Sequence, residues 1–420
     1  MDRRKNYDVI VVGGGSAGVS AAIGALKAGV SCLLIERNGS LGGQATNANV
    51  SSYCGFFTRG DNPKQVVKGI GEEVLQKLSE FGAYDGFKLS PVKNAIVTLD
   101  TESTKFALDE LVNEYGLDVL LHCRVVKANM NAEKTRILSI ECVDDEGFCE
   151  FGAQTFVDAS GDANLGFLAG AEFRWGNGNG GSQMSTMVMR IDRVDPSVRF
   201  SPESLEKIVL QAKEDGYNQL SKESGIVFRT SDDTVAAILP SVNVPSLDSE
   251  TLTKCEMETR LQCQKYMEVF RKYMPGMEKS RLIWTGNYLG LRDTRHLVGT
   301  YTLTGDDVLN AKKHEDVIAR GGWPCEMHVE KNKMAQYLWI KDDSYYEIPL
   351  GCLKPAKIEN LWAAGRTISA DPIAFASVRV MGIGFATGHA SGVAAALTLN
   401  GTSIDIKKIQ EELRRQNALI

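Results

Sequence analysis

The sequence predicts an α/β fold, and three observations carry that prediction. The chain opens strand, glycine turn, helix, strand over residues 7–35. A short apolar strand that meets a glycine returns at residues 361–365, followed by an Ala/Gly-rich helix over 384–399. Between them the pattern is less regular, with two strong helices at 202–215 and 250–274. Together these read as a Rossmann-like domain built from both ends of the chain, with an α+β substrate domain inserted between. The boundaries are set at 1–182, 183–350 and 351–420.

The elements follow in order. Tyr7 to Val12 is apolar after Asp8, as a strand buried on both faces is. Residues 16–28 are rich in Ala and stop at Gly29, and 30–35 form a second buried strand. A helix is expected over 63–81, with Val66, Val67, Ile70, Val74 and Leu78 on one face. A second helix over 104–115 stops at Gly116, and 117–129 reads as one strand. Residues 137–143 and 148–157 form a hairpin around Asp144-Asp145-Glu146-Gly147. Residues 175–182 are a polar, glycine-rich loop, and Ile406, Ile409 and Leu413 line a last short helix.

Composition excludes several function classes. The chain has 420 residues, 43% hydrophobic and 24% charged, with a net charge of −6, the balance of a globular protein with a sizeable core. It has no basic run able to neutralise several phosphates, which argues against nucleic acid as a partner. Nine cysteines, an odd number without a Cys-x-x-Cys pair, point to reduced thiols and a cytoplasmic protein. Arg3, Arg4 and Lys5 before an apolar stretch mimic a signal peptide, but the stretch is broken by glycines, Lys27 and Glu36. No segment has the ~18 uninterrupted apolar residues of a membrane span.

The first glycine turn carries the clearest chemistry. Gly13-x-Gly15-x-x-Gly18 follows a strand and opens a helix, the context its mechanism requires. Gly13 permits the tight turn, Gly15 lets a pyrophosphate approach the backbone, and Gly18 packs helix on strand. The helix start around Ser16 and Ala17 offers free N–H groups and a partial positive charge to phosphates. Glu36, followed by Arg37, ends the second strand; its carboxylate suits the hydroxyls of an unphosphorylated ribose. The choice between FAD and NAD turns on elements outside this motif. They are a second glycine turn at Leu41-Gly42-Gly43-Gln44-Ala45-Thr46, a strand ending at Val157-Asp158-Ala159-Ser160-Gly161-Asp162, and Ala364-Gly365-Arg366.

With Gly290-Leu291-Arg292-Asp293-Thr294-Arg295 and Ser377-Val378-Arg379-Val380-Met381-Gly382, these motifs give the chain its resemblance. It resembles the FAD-dependent oxidoreductases of the glutathione-reductase-type fold, in the branch distantly related to fumarate reductase flavoproteins. The resemblance covers residues 7–60, 104–172 and 284–398. It implies FAD as cofactor. Gly42, Gly43, Gln44, Ala45 and Thr46 would follow its ribityl–pyrophosphate side, and Val126 would pack near the adenine. Ser160, Gly161 and Asp162 would join the cofactor set, and Gly365 and Arg366 would sit by the pyrophosphate and ribityl chain. Met381, Gly382 and Gly384 would approach the flavin ring, with a helix N-terminus aimed at its N1/O2 edge. Gly365-Arg366 departs from the Gly-Asp that many flavoproteins of this fold carry, which removes the usual acid-to-ribityl contact.

Catalysis also needs substrate capture, proton movement and a route for electrons. No second strand-borne GxGxxG occurs, so no dedicated NAD(P)H domain is expected. The acceptor is then a quinone, another protein, dioxygen or a second substrate. Cys54 lacks the partner a disulfide reductase needs and reads as a small hydrophobe. Arg292, Arg295 and Arg379 suit a carboxylate or phosphate, although internal salt bridges use the same residues. Arg292 and Arg295, three apart, would share a face if helical. His296 and Tyr53, which resembles a position facing the flavin, are the acid–base candidates; His389 is a further one, while His122 reads as structural and His314 as solvated. Cys325-x-x-His328 is half a metal site with nothing to complete it, so no metal is expected.

The favoured function is an FAD-dependent oxidoreductase that transfers a hydride between flavin and a small carboxylate, ketone or sugar-like alcohol. An electron-transfer flavoprotein subunit and a redox-neutral dehydratase or isomerase are the alternatives. Oligomeric state is left open.

Overall fold

In a computed structural model, residues 4–178, 181–330 and 332–420 are described; Arg3, and Asn179 and Gly180 of the polar loop, lie outside them. The centre is a seven-stranded sheet. Its order is Asp118–Leu120, Cys32–Ile35, Arg4–Val12, Gly147–Asp158, Ile137–Asp144 and Arg124–Met130. Leu361–Ala363 adds a seventh strand, parallel to the far half of Gly147–Asp158. Val12 pairs with both Ile35 and Asp158, and Asp158 pairs with Ala363. The carboxyl ends of four parallel strands therefore lie side by side, which is where ligands of open α/β sheets bind.

The first helix, Ser16–Lys27, lies against the closing helix, Met381–Leu397. Their approach depends on glycine. A Cβ at Gly388 would lie 2.0 Å from the Ala17 carbonyl oxygen, and one at Gly392 would lie 1.9 Å from that of Ala21. Gly18 has the same role against the turn: its Cβ would fall 1.7 Å from the Gly13 carbonyl oxygen.

Two expected elements differ. The strand over 117–129 is broken into Asp118–Leu120 and Arg124–Met130, because His122 takes a left-handed φ of 54° and turns the chain. The helix expected from 63 begins only at Ile70, behind Gly69 at φ 63°.

The insertion has its own core, drawn from residues between Met187 and Leu291. A four-stranded antiparallel sheet runs in the order Ile226–Arg229, Val235–Ile238, Met189–Asp192, Arg281–Thr285. Helices Pro202–Glu214 and Ser249–Tyr273 accompany it, started by the side-chain caps of Ser201 and Asp248. Leu297, Leu303, Ile318, Trp323 and Tyr346 pack into the main core. No single described helix is long and apolar enough to cross a membrane; one bent pair, Pro372–Val378 with Met381–Leu397, has the composition, and its long helix is largely buried.

Candidate active site

A trough follows the carboxyl ends of the parallel strands. Its wider end is a cavity of about 770 Å³ lined by Gly13, Glu36, Arg37, Val126, Ser160 and Asp162, together with Pro245 to Asp248 of the insertion. A narrower part runs on past Gly15, Ser16, Ala17, Gly42, Gly43 and Gln44. Gly161, Gly365, Arg366, Arg379, Met381 and Gly384 form its other wall.

Glu36 closes the first turn at the wide end. Its Oε2 accepts from the Gly14 N–H at 2.6 Å and its Oε1 from the Asn38 N–H at 2.8 Å. Oε1 also accepts from the Asn38 side-chain amide, so Oε2 is the oxygen that retains capacity for a ribose hydroxyl. Gly13, at φ 104°, is forced by its neighbour: a Cβ would lie 2.5 Å from the Ala159 carbonyl oxygen. Gly42 N–H bonds the Gly14 carbonyl at 2.8 Å and so fixes the second turn against the first.

Two uncapped helix N-termini meet in the narrow part. Neither Gly15, which precedes the first helix, nor Val380, which precedes the closing helix, supplies a side-chain cap, and neither first turn is acidic. Both ends keep their partial positive charge. Space has been left between them. A Cβ at Gly15 would have its nearest neighbour 3.8 Å away at Gly43, and one at Gly384 would meet only Ser16 at 4.0 Å. Arg366 Nε is buried without a hydrogen-bond partner, while its terminal nitrogen holds Asp162 at 3.1 Å. Open glycines, two free helix ends, an unpartnered guanidinium nitrogen and a ribose-type carboxylate suit an adenine dinucleotide with a pyrophosphate centre.

Most of the expected cofactor residues line the trough, but four do not. Gly18 packs under the turn, and a Cβ at Gly382 would strike the Cys54 carbonyl at 2.4 Å. Ala45 is core, and Thr46 is buried with its hydroxyl on the Leu41 carbonyl, so both shape the second turn from behind. Tyr288 lines the trough unexpectedly, with Arg37 over its ring at 5.7 Å; burial pushes its hydroxyl up to about 12. Only its closeness to the Gly290 motif hinted at this.

At its inner end the trough meets a polar cluster. Arg379 lines the trough and donates to the Glu326 carbonyl at 3.1 Å, with the Glu326 carboxylate 3.7 Å away. Tyr337 OH donates to Glu326 Oε1 at 2.9 Å, and His328 Nε2 lies 3.4 Å from the same oxygen. Arg292 donates to the Met184 carbonyl and Thr186 hydroxyl, both at 2.6 Å. Burial works to raise the Glu326 carboxyl, but the His328 hydrogen bond and the charges of Arg379 and Arg292 hold it well below the usual carboxylate range. Burial and Arg292 bring His328 down to about 3, so its ring is neutral. Burial, with Arg379, lowers Arg292 to about 10.

Arg292 and Arg379 therefore come together, whereas the other catalytic candidates lie elsewhere. His296 is buried, bonded to Asp293 at 2.7 Å and edge-on to Phe375 at 3.9 Å, beside a separate cavity of about 420 Å³. Tyr53 is fully buried in an aromatic group with Phe56 and Phe385; burial raises its hydroxyl, with Ser16 offsetting part. Strand alternation sends Tyr53 to the core and Cys54 to the cluster, where burial and Glu326 push the thiol up to about 12. Arg292 and Arg295 share no face, because the chain there is not helical. Arg295 instead bonds the Asp162 carbonyl and the Asn164 side chain. His389 is buried on Gln416 at 2.8 Å, away from the trough. His328 belongs to the cluster, while Cys325 points into the core, so their spacing is that of a strand's two faces. Among the described residues no three potential metal ligands gather.

Fold and trough define a Rossmann-like flavoprotein. The FAD dependent oxidoreductase family model matches residues 8–413, and the chain belongs to that family. It is therefore an enzyme with FAD as its cofactor. The thioredoxin reductase of Bacillus subtilis (strain 168) is 47% identical over 57 residues, 13% of this chain and 18% of that protein. Digeranylgeranylglycerophospholipid reductase 1 of Methanopyrus kandleri is 27% identical over 181 residues, 39% of this chain and 42% of that protein. The matches thus span less than half of either relative. Among solved structures, a geranylgeranyl bacteriochlorophyll reductase-like protein from Thermoplasma acidophilum aligns at TM-score 0.50 and 14% identity, over 99% of this chain and 85% of that one. CabE, an aromatic hydroxylase from angucycline biosynthesis, aligns at TM-score 0.52 and 13% identity, over 98% and 69%. At such identities the likeness shows the fold.

Proposed function

We propose that this enzyme exchanges a hydride between FAD and a carbon of a small organic substrate held at the polar cluster. One observation carries this reading: Arg379 lines the cofactor trough beside Met381 and Gly384 and also contacts Glu326. Bound FAD supplies hydride acceptance or donation. Arg292 and Arg379 orient the substrate, because a planar guanidinium fixes two oxygens at once. Glu326 holds Arg379, Tyr337 and His328 in place. His328 moves the proton that accompanies the hydride: with Nε2 turned to Glu326, Nδ1 is left buried without a partner. Gly15, Gly43, Gly384 and the two helix ends hold the cofactor.

A quinone or an electron-acceptor protein takes up the electrons, and an odd number of cysteines without a Cys-x-x-Cys pair favours the cytoplasm. The test is anaerobic bleaching of the bound flavin against a metabolite panel, starting with 2-hydroxy acids, ketones after chemical reduction, and sugar alcohols. A compound that bleaches or reoxidises the flavin stoichiometrically supports hydride exchange. Turnover with no change of flavin redox state, or exchange only with a partner protein, would replace this reading with one of the two alternatives.

A further inference from the structure

The charges of the polar cluster do not balance. Lys222 comes from the inserted domain and is 3% exposed. It is tied to Arg292 through the fold: the Ser241 N–H donates to Ser221 Oγ at 2.9 Å, Ser241 pairs with Thr186, and the Thr186 hydroxyl accepts from Arg292 at 2.6 Å. Burial, with Arg292, brings its amine down to about 7. Its ammonium makes one long hydrogen bond, 3.5 Å to the Ile238 carbonyl, and no ion pair among the described residues. A lysine is rarely buried so completely without a carboxylate beside it.

Its position is also fixed. Tyr266 OH accepts from the Lys222 N–H at 2.8 Å and donates to the Lys222 carbonyl at 2.6 Å. Ser221 is held by Gln262 at 2.6 Å. The backbone is thus clamped on both sides while the ammonium is left short of partners. A side chain that merely filled space would not need a charge there.

Two guanidiniums, Arg292 and Arg379, therefore gather with one carboxylate, Glu326, and Lys222 adds an amine poised near neutral pH that an anion would hold protonated. Two further buried atoms of this group have no partner, Arg379 Nε and His328 Nδ1. Arg379 lines the trough, and Arg292, Glu326 and Tyr337 each keep some exposure, so the cluster is not sealed from it. A positive excess with an unfilled donor, Arg379 Nε, beside the trough is completed by an anion.

We infer that this site takes a substrate bearing a carboxylate, and that Lys222, delivered by the inserted domain, binds that carboxylate together with Arg292 and Arg379. A carboxylate matches the planar guanidinium forks and is small enough to leave the neighbouring carbon at the trough. This rests on the proposed hydride exchange, for which it names the substrate class.

The test is calorimetric titration of the FAD-loaded protein with malonate, malonamide and inorganic phosphate, with the visible flavin spectrum followed in parallel. Malonate is expected to bind saturably and to perturb the spectrum, and malonamide is not. Lys222→Met is expected to weaken malonate binding about tenfold or more, and Lys222→Arg to keep it within about threefold. Unchanged malonate binding in Lys222→Met, equal binding of malonamide, or phosphate binding in place of malonate would each overturn the assignment. Should Lys222→Met not fold, Arg292→Gln is expected to show the same loss, and full binding there overturns it too. The two readings fail separately. Malonate binding with no compound able to bleach the flavin supports the anion site and removes hydride exchange. Bleaching by neutral compounds alone removes the anion site and keeps the exchange.

Discussion

Glu326 is the residue on which the cluster is organised, and its charge has two opposed effects. It orients Tyr337 and His328, and it repels an incoming anion. Glu326→Gln is therefore expected to lower the maximal rate by about 10²-fold, the scale of a disturbed proton-transfer group, while tightening malonate binding. Steady-state kinetics beside calorimetry checks both; a parallel loss of rate and affinity would contradict the opposed roles. His328 gives a second prediction. Its folded value of about 3 lies below the ordinary 6.5, held down by burial and Arg292, with Arg379 adding to this and Glu326 opposing. Between these values the unfolded chain binds more protons, so stability rises with pH across that window and is lost as pH falls toward 3. Melting temperature against pH should flatten in His328→Asn over that range and keep its slope if another group is responsible. Arg292 and Arg379 were legible in the sequence because each sits in a motif next to a glycine turn. Glu326, Tyr337 and Lys222 were not, since nothing local marks them. They meet only because a hairpin, Cys325–Met327 with Gln336–Leu338, and a segment of the insertion converge on one place.

Two glycines one helical turn apart in the closing helix do different work, and the difference is measurable. Gly388 is packing: a Cβ would sit 2.0 Å from a backbone oxygen of the first helix, which cannot move aside. Gly388→Ala is expected to destabilise by about 1–3 kcal/mol, the range for overpacking, with or without cofactor. Gly384 lines the trough: its Cβ would enter open space, 4.0 Å from the nearest atom. Gly384→Ala is expected to fold with the apo melting temperature within a few degrees of the parent, or above it through helix propensity, and to bind FAD more weakly. Thermal unfolding with and without added FAD separates the two, and equal cofactor loss in both variants would refute the division. Elements were legible where local spacing is long enough to repeat. The first turn, the hairpin around Gly147 and the helices Pro202–Glu214 and Ser249–Tyr273 fall close to their expected bounds. The four strands of the inserted sheet, at most five residues each, carry too few alternations to declare themselves, and the break at His122 depends on a backbone angle that no residue pattern announces.

At the scale of the molecule, two hydrophobic cores share one site. Most of the trough's lining and Arg379 belong to the sheet domain, while Pro245 to Asp248, Lys222 and the backbone that receives Arg292 belong to the insertion. FAD seated in the trough would touch mainly the first, so its binding should protect the first and closing helices from hydrogen exchange more than it protects the inserted sheet. A carboxylate bound to Lys222, Arg292 and Arg379 would bridge both. A ligand at about 100 times its dissociation constant stabilises what it binds by about 2.7 kcal/mol. Malonate added to the FAD-loaded protein should therefore slow exchange in the strands Met189–Asp192 and Val235–Ile238, which FAD alone leaves little changed. Hydrogen exchange read by mass spectrometry, with peptides from both cores, checks this directly. Slowing confined to the sheet domain would mean that the insertion does not share in anion binding. Slowing of both cores by FAD alone would mean that they already unfold as one unit, and the insertion would then be coupled to the cofactor rather than to the substrate.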